Sequence, residues 1–164
     1  MSYCALNDVI VIQADLHEDS QAHAVVELIN LYAQGPLGQG QALPATVQQQ
    51  LIPQLSAHPT AYVFLAYYQH QPIGVAVSFL GFSTWAAQPL MNIHDLMVKV
   101  DFRNQGVGHQ LLVAIERKAR ALGCCQLTLE VREDNQAAQQ LYNQFGFTQS
   151  QPAMLFWQKK FKLR

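Results

Sequence analysis

The chain has 164 residues, of which 50% are hydrophobic and 13% are charged, and this is enough to bury the core of one domain. The formal net charge at pH 7 is -1, and nucleic-acid recognition needs a concentrated excess of lysine and arginine, so we exclude that class of protein. A basic cluster near the C-terminus is interpreted as solvated surface. It consists of Lys159, Lys160, Lys162 and Arg164. We expect a single domain over residues 1–164.

Cysteine content and hydropathy indicate the compartment. The cysteines, Cys4, Cys124 and Cys125, are odd in number and two are adjacent, which is a poor basis for disulfide bonds. No apolar run approaches the roughly 18 residues of a membrane span, and the first residues do not resemble a signal peptide. We therefore predict a cytoplasmic protein without membrane contact. Neither the cysteines nor the histidines have the spacing of metal ligands, so we also expect no metal.

The first third of the chain alternates between strand and helix patterns. Residues 9–14 are predicted to form a strand, and apolar residues then recur at helical spacing behind the capping candidates Asp19 and Ser20. A glycine-rich loop at 35–40 ends this helix, and a second helix is expected to run from Pro44 to about residue 55.

The middle of the chain predicts antiparallel strands. Residues 61–68 and 73–82 are strand-like runs joined by a connection of hairpin length at 69–72. Residues 91–98 form a third run. This first half is therefore expected to be largely antiparallel.

The last third returns to alternation. A helix is predicted at about 107–122, a strand at 126–131, a helix at 135–145 and a last strand at 154–161. The whole pattern is that of a mixed α/β domain.

The turn before the helix at 107–122 is a candidate anion site. Because it links an apolar strand to an amphipathic helix, its backbone N–H groups can converge on a diphosphate. Gly106 and Gly108 lack a Cβ, so phosphate oxygens can approach the main chain, and Arg103 can add charge-assisted hydrogen bonds. The same glycines also fit an ordinary tight turn. A dinucleotide site is disfavoured because Leu111 stands where a third glycine is needed, and no Lys-Ser or Lys-Thr pair follows to form a P-loop.

Two motifs resemble those of the GNAT N-acetyltransferase superfamily. The acetyl-CoA motif, which is Arg or Gln, two residues, Gly, one residue, then Gly or Ala, is matched by Arg103, Gly106 and Gly108. The second motif follows the strand at 126–131 and consists of Asn135, Ala138, Tyr142, Gly146 and Phe147. The resemblance implies an α/β (α+β) fold, in which helices flank a mostly antiparallel sheet of six or seven strands. It also implies a splay between two central parallel strands.

The resemblance further implies an activity and its residues. Family members transfer the acetyl group of acetyl-CoA to an amine, expected here to be a primary amine of a small molecule such as a polyamine or an amino-acid-like compound. By resemblance, Tyr142 protonates the departing thiolate, and a backbone N–H near Leu96 or Met97 holds the oxyanion. Asn135 is expected to contact the pantetheine arm. The residues expected to bind the cofactor are Leu96, Met97, Val98, Val100, Arg103, Asn104, Gln105, Gly106, Val107, Gly108, His109, Asn135 and Tyr142.

A base must also take a proton from the acceptor. An alkyl ammonium with a pKa of about 10.4 costs about 4.6 kcal/mol to deprotonate at pH 7. The candidates are Asp95, then His94, then Glu130, since carboxylates and imidazoles are the usual bases. Each also has a structural interpretation. Asp95 can anchor a loop, His94 can point away because adjacent strand residues face opposite sides, and Glu130 can pair with Arg132.

The identity of the acceptor stays open. Residues 79–85 and 93–98 resemble the diamine acetyltransferase branch, but His94 stands where that branch commonly carries Glu, so a less cationic amine also fits. Tyr32 and Trp85 can line an acceptor pocket with the loop at 35–40, or they can pack in the core or at a dimer interface.

Three other functions are also left open. Residues 129–132 resemble protein N-terminal acetyltransferases of the same superfamily, for which the acceptor is a peptide amine. A CoA-binding module without transfer activity is a second alternative, against which Tyr142 argues, and a purely structural domain is a third. Family members often pair, so a homodimer that uses the strand at 154–161 is a further option.

Overall fold

The structure is a computed structural model that describes residue 6 and residues 8–161. This part of the chain contains a five-stranded sheet flanked by helices. The elements follow in the order β1 Ile10–Gln13, α1 Asp19–Gln34, α2 Ala45–Ala57, β2 Ala61–Tyr68, β3 Gln71–Ser83, β4 Gln88–Val98, a 3-10 helix Val100–Phe102, α3 Val107–Ala121, β5 Leu127–Leu129 and α4 Gln136–Phe145.

The strands lie across the sheet in chain order, from β1 to β5. The first four pair antiparallel, and β4 pairs with β5 in parallel. The predicted β2–β3 hairpin closes through Gln69 and His70, whose φ angles of 49° and 65° are both left-handed. Such a turn matches the right-handed twist of the strands that it joins. The predicted mixed α/β fold, with mostly antiparallel strands, is confirmed.

Each face of the sheet buries its own apolar cluster. α1 covers one face with Val25 and Leu28, which are fully buried. α3 covers the other face with Leu111, Leu112 and Ile115, which are also fully buried. Burial of one such side chain stabilises the fold by about 1.5 to 3 kcal/mol. We call these two sides the α1 face and the α3 face.

Local capping determines where the helices begin and end. α1 is capped by Glu18, whose carboxylate accepts hydrogen bonds from the N–H groups of Ser20 at 3.1 Å and Gln21 at 3.0 Å. The cap therefore lies one residue before the expected candidates. α4 ends at Gly146, whose φ of 102° is in the left-handed region that glycine adopts without strain.

The predicted last strand at 154–161 is wrong. Among the described residues, no strand follows α4, and the sheet has five strands rather than six or seven. The large apolar side chains of this segment are exposed; Met154 and Trp157 are each 83% exposed. A strand is stabilised by a paired ladder and a buried face. This segment has neither, although its residue types favour β structure.

The basic cluster that was predicted to be solvated surface lies partly within the described residues. Lys159 and Lys160 are exposed, as expected, whereas Cys4, Lys162 and Arg164 lie outside the described residues. Within residues 8–161, none of the helices combines the length and the apolar character that a bilayer crossing requires.

Candidate active site

The candidate site lies where β4 and β5 separate. The two strands pair over three positions, from Met91 opposite Leu127 to Ile93 opposite Leu129. Beyond Ile93, β3 is the one strand of residues 8–161 that continues alongside β4, because β5 has ended. The predicted strand at 126–131 is therefore shortened, and the expected splay between the two parallel strands is observed. We call the space beyond the last pair the gap.

Main-chain N–H groups of β4 point into the gap. The N–H of Lys99 donates a hydrogen bond to the carbonyl of Ile73 on the β3 side, at 2.9 Å. N–H groups alternate between the two edges of a strand, and the β3–β4 register is regular over this end of β4. The N–H groups of Leu96 and Val98 therefore point into the gap, whereas that of Met97 points towards β3. Of the two residues considered for the oxyanion, Leu96 has the suitable orientation.

A β-bulge turns two polar side chains to the same face. Val77 lies opposite Asp95, and the next residue of β3 lies opposite Ile93, so His94 is an extra residue in β4. The His94 ring lies edge-on to the Phe79 ring, with centroids 5.6 Å apart. Val77 and Phe79 belong to the α1-face cluster, so His94 and Asp95 both face α1. The alternative in which His94 points to the opposite face is wrong, because the alternation of side chains fails at the bulge.

Asp95 is a partly buried carboxyl group beside the gap. Burial raises its pKa above the ordinary value, and the charge of His94 opposes this effect in part. No hydrogen bond from the described residues stabilises its charge. A carboxylate with a raised pKa and free lone pairs is suited to bind an ammonium group or to accept a proton from it.

Tyr142 lies on α4 and packs in the α3-face cluster, together with Ile93 and Leu129 of the last β4–β5 pair. Its side chain is only 9% exposed, and its ring lies edge-on to Phe147, with centroids 5.7 Å apart. Burial raises the pKa of Tyr142 to about 12, and the charge of Tyr32 on α1 contributes to the shift in smaller part. The two tyrosines pack in the clusters on opposite faces of the sheet.

The glycine turn leads directly into α3. Gly106 precedes the helix with a φ of 81°, a left-handed conformation that favours glycine. Within the described part of the chain, no side chain caps α3, and the first bond from its N–H groups to a carbonyl is that from Gln110 to Gly106. The N–H groups of Val107, Gly108 and His109 have no partner among these residues and can bind an anion.

Gly108 has a second role that the sequence did not indicate. A Cβ at this position would lie 2.9 Å from Cδ2 of Leu141 on α4, which is too close for a normal contact. The absence of a side chain lets α4, which carries Tyr142, pack closely against the start of α3. His109 supports the same packing, because its ring lies edge-on to Phe145 at a centroid distance of 5.3 Å.

The remaining turn residues are held by main-chain contacts. Arg103 is exposed and donates from Nε to the carbonyl of Val98 at 3.0 Å, and its other guanidinium N–H groups bond to none of the residues that the structure describes. Gln105 donates from Nε2 to the carbonyl of Asp101 at 2.8 Å. Asn104 adopts a left-handed φ of 58°, and Val100 is 70% exposed. The structure thus brings the turn next to the end of β4, as expected for a binding loop.

Asn135 is the cap of α4. Its Oδ1 accepts a hydrogen bond from the N–H of Ala138 at 3.2 Å, so this oxygen is occupied. Only its amide NH₂ group is left to donate to a ligand. Its expected contact with the pantetheine arm stays a prediction.

Several candidates do not meet at the gap. Glu130 is exposed beyond the end of β5. It does not pair with Arg132, which instead binds Asp134 through two hydrogen bonds of 2.8 Å and 2.6 Å. Trp85 is fully exposed in the β3–β4 turn, so it neither lines a pocket with Tyr32 nor packs in the core.

Sequence reasoning missed the role of Gly38. A Cβ there would lie 2.3 Å from the carbonyl oxygen of Tyr32, so only glycine lets the loop at 35–40 fold back onto the end of α1. A glycine within a glycine-rich loop gives no signal of such an approach.

Residues 8–161 contain no group of three His, Cys, Asp or Glu residues that could hold a metal ion. The prediction of a metal-free site stays a prediction.

Comparisons with known proteins identify the family. Thialysine N-epsilon-acetyltransferase from Bos taurus is 31% identical over 74 residues, which cover 45% of this chain and 43% of that protein. The ribosomal protein bS18-alanine N-acetyltransferase from Haemophilus ducreyi is 40% identical over 57 residues, covering 35% of this chain and 39% of that protein. The alignments thus span less than half the length of these relatives.

Similarity in fold and in family extends further along the chain. A crystal structure of a probable acetyltransferase superposes with a TM-score of 0.80 at 18% identity, covering 94% of this chain and 99% of that one. The model of the Acetyltransferase (GNAT) family matches residues 23–147. Because this match covers most of the chain, the protein belongs to the GNAT acetyltransferase family.

Proposed function

We propose that this chain is an N-acetyltransferase that passes the acetyl group of acetyl-CoA to a primary amine of a small molecule. The observation that carries the proposal is the gap between β4 and β5, with Asp95 on β4 just beyond the last pair and Tyr142 in the apolar cluster that contains Ile93 of that pair. The uncapped start of α3 follows the end of β4 and would supply an anion site. A base, an acid and a diphosphate site are therefore proposed around one opening.

The cosubstrate is expected to bind along the gap. The free N–H groups of Val107, Gly108 and His109 would hold its diphosphate, with Arg103 at the rim. The amides of its pantetheine arm would pair with the exposed edge of β4, where the N–H groups of Leu96 and Val98 have no partner strand. This pairing would satisfy main-chain groups that the short β5 leaves free.

Asp95 is the proposed base. The acceptor amine enters largely as its ammonium ion, and the carboxylate of Asp95 takes a proton from it, directly or through water. The freed nitrogen lone pair then forms the N–C bond to the thioester carbon. The oxyanion that develops would be held by the N–H of Leu96.

Tyr142 is the proposed acid. As the C–S bond breaks, its hydroxyl donates to the sulfur and passes its proton to the thiolate. With a pKa of about 12, the hydroxyl is protonated throughout the neutral and mildly alkaline range. A thiol pKa of about 8.5 is roughly 3.5 units lower, so complete transfer from a resting tyrosine would cost about 5 kcal/mol. Tyr142 therefore acts first as a hydrogen-bond donor. The acetylated nitrogen loses its second proton as the amide forms, and this proton returns through water to the tyrosinate.

A peptide N-terminal amine is the second candidate acceptor. The similarity to the bS18-alanine acetyltransferase supports this alternative, as does the resemblance of residues 129–132 to such enzymes. The partly buried carboxyl of Asp95 and the similarity to the thialysine enzyme favour a small amine. The cytoplasmic location and the homodimer also stay predictions.

The decisive experiment measures release of free CoA thiol from acetyl-CoA, corrected for hydrolysis without amine. Diamines, lysine analogues, aminoglycosides and peptides that begin with Ala or Ser would be compared as acceptors. We expect amine-dependent release that is greatest with a small amine. In Tyr142→Phe we expect turnover to fall by about 100-fold, in the range of lost acid–base catalysis, with little change in acetyl-CoA affinity.

Each other result has a distinct meaning. Release with peptides alone would replace the small amine by a peptide acceptor. Acetyl-CoA binding without release for any amine would identify a non-catalytic CoA-binding module, and absence of binding by calorimetry would leave only a structural domain. Unchanged turnover in Tyr142→Phe would remove this residue from the mechanism.

A further inference from the structure

Tyr32 lies on the same face of the sheet as Asp95. It is on α1 and packs with the α1-face cluster, which includes Val77 and Met97. Val77 lies directly opposite Asp95 in the β3–β4 ladder, and Met97 follows Asp95 by two residues on the same face. Tyr32 and Asp95 therefore lie in the same layer, between α1 and this face of the sheet.

The electrostatics agree with this geometry. Burial raises the pKa of Tyr32, and the negative charge of Asp95 raises it further. Arg132 acts in the opposite direction and is the cation that influences this hydroxyl. Tyr32 in turn contributes to the raised pKa of Tyr142. The negative charge of Asp95 therefore acts on the Tyr32 hydroxyl across the face that the two residues share, and no described residue stabilises this hydroxyl by a hydrogen bond.

The backbone of Tyr32 is held in place. The N–H of Gln39 donates to the carbonyl of Ala33 at 2.8 Å, and that of Gly38 donates to Gly35 at 3.0 Å. These bonds fold the loop onto the last turn of α1, where Gly38 permits close contact with the Tyr32 carbonyl. A side chain on a helix end that is fixed in this way loses little further freedom when it binds a ligand.

We propose that Tyr32 is a specificity-determining residue that binds the acceptor ammonium group together with Asp95. The proposal rests on the proposed function and names the acceptor as an unhindered primary alkylamine. An alkyl ammonium has three N–H donors, of which the Asp95 carboxylate takes one and the Tyr32 hydroxyl oxygen a second. The aromatic ring of Tyr32 offers its face to the same cation. A secondary ammonium has only two N–H donors, so binding both partners places its second alkyl group where a primary amine has its third N–H, and we expect this orientation to hinder attack on the thioester.

The test compares Tyr32→Phe with Tyr67→Phe as a matched control. Tyr67 packs in the same cluster and also has a pKa raised by burial, but the charge that acts on it is that of Glu18, not Asp95. Steady-state kinetics would be measured with cadaverine and with L-lysine as acceptors. For Tyr32→Phe we expect the KM for the amine to rise about tenfold, with kcat and the KM for acetyl-CoA within about twofold of the wild type. Tyr67→Phe should resemble the wild type.

N,N′-dimethylcadaverine, in which both nitrogens are secondary, provides a second readout. Wild type should prefer the primary amine, and Tyr32→Phe should lose most of that preference. An unchanged amine KM in Tyr32→Phe, or an equal rise in Tyr67→Phe, would overturn the proposal while the proposed function stands. Failure of the wild type to acetylate any amine would instead overturn the proposed function, and this inference with it.

Discussion

Both halves of β4 pair with β3 on one side, but on the other side the first half pairs with β5 and the second half faces the gap. From Gln88 to Ile93 the strand approaches and then pairs with β5, and its buried residues Met91 and Ile93 join the α3-face core. Beyond Ile93 the strand keeps β3 but loses β5, and its next two residues are His94 and Asp95. Polar side chains and free main-chain groups therefore occur where the ladder is interrupted.

This difference shows how one strand combines stability with reactivity. In the paired half, main-chain groups satisfy each other, and Asn92 Nδ2 donates to Thr128 Oγ1 across the ladder at 3.2 Å. In the unpaired half, the same types of group remain available to a ligand. The bulge at His94 adds a change of side-chain direction without ending the strand.

The largest effect is expected in the unpaired half, from Asp95→Asn. The amide cannot accept the ammonium proton, so turnover should fall by about 100-fold. In the wild type, kcat/KM should decrease as the pH falls through the raised pKa of Asp95, because the carboxylate is the active form. A pH series of kcat/KM would check both points. A variant as active as the wild type would exclude Asp95 as the base and leave His94 as the next candidate.

The same substitution should make the protein more stable at neutral pH. Since burial raises the pKa of Asp95, its protonated form favours folding below the ordinary pKa, and this contribution is lost as the pH rises through the folded-state pKa. Asparagine carries no charge and avoids that loss. The melting temperature of Asp95→Asn should exceed that of the wild type at pH 7, and the difference should shrink in acid. A lower melting temperature at pH 7 would show that the carboxylate has a stabilising partner.

A smaller effect is expected from Gly108→Ala, which acts on the position of α4 beside the gap. The new Cβ would press on the Leu141 side chain, which can give way at a cost of about 1 kcal/mol. We expect the KM for acetyl-CoA to rise about fivefold. Addition of Leu141→Ala should restore much of the affinity. Gly81→Ala is the control, because its Cβ would meet Leu90 at 3.2 Å in the β3–β4 hairpin, away from the gap.

The smallest effect on activity is expected in the paired half, from Thr128→Val. This change removes the hydroxyl that accepts from Asn92 and costs about 1 kcal/mol, which corresponds to a fall in melting temperature of about 2 to 4 °C. The kinetic constants should stay within about twofold of the wild type. A large loss of turnover would show that the two halves of β4 are not separable in function.

Periodicity and turn chemistry predicted most of the fold. β2 was predicted with its observed bounds, and the α3 and α4 patterns were recognised because each helix has one apolar face. The strand at 154–161 was predicted wrongly because the prediction used the β propensity of its residues, whereas a strand also needs the edge of another strand to pair with. The shortening of β5 was invisible in the sequence for the same reason.

The sequence by itself determined the class of protein, because the motif that indicates it, Arg103, Gly106 and Gly108, lies within six residues. The main-chain geometry at the start of a helix depends on such neighbouring residues, so a short motif is enough to predict it. Only the tertiary structure decided which side chains meet. The bulge that places His94 and Asp95 on one face, the position of Tyr32 on that same face, and the solvent exposure of Trp85 all depend on register and helix packing. Such contacts join residues far apart in the chain, and no local pattern encodes their distance.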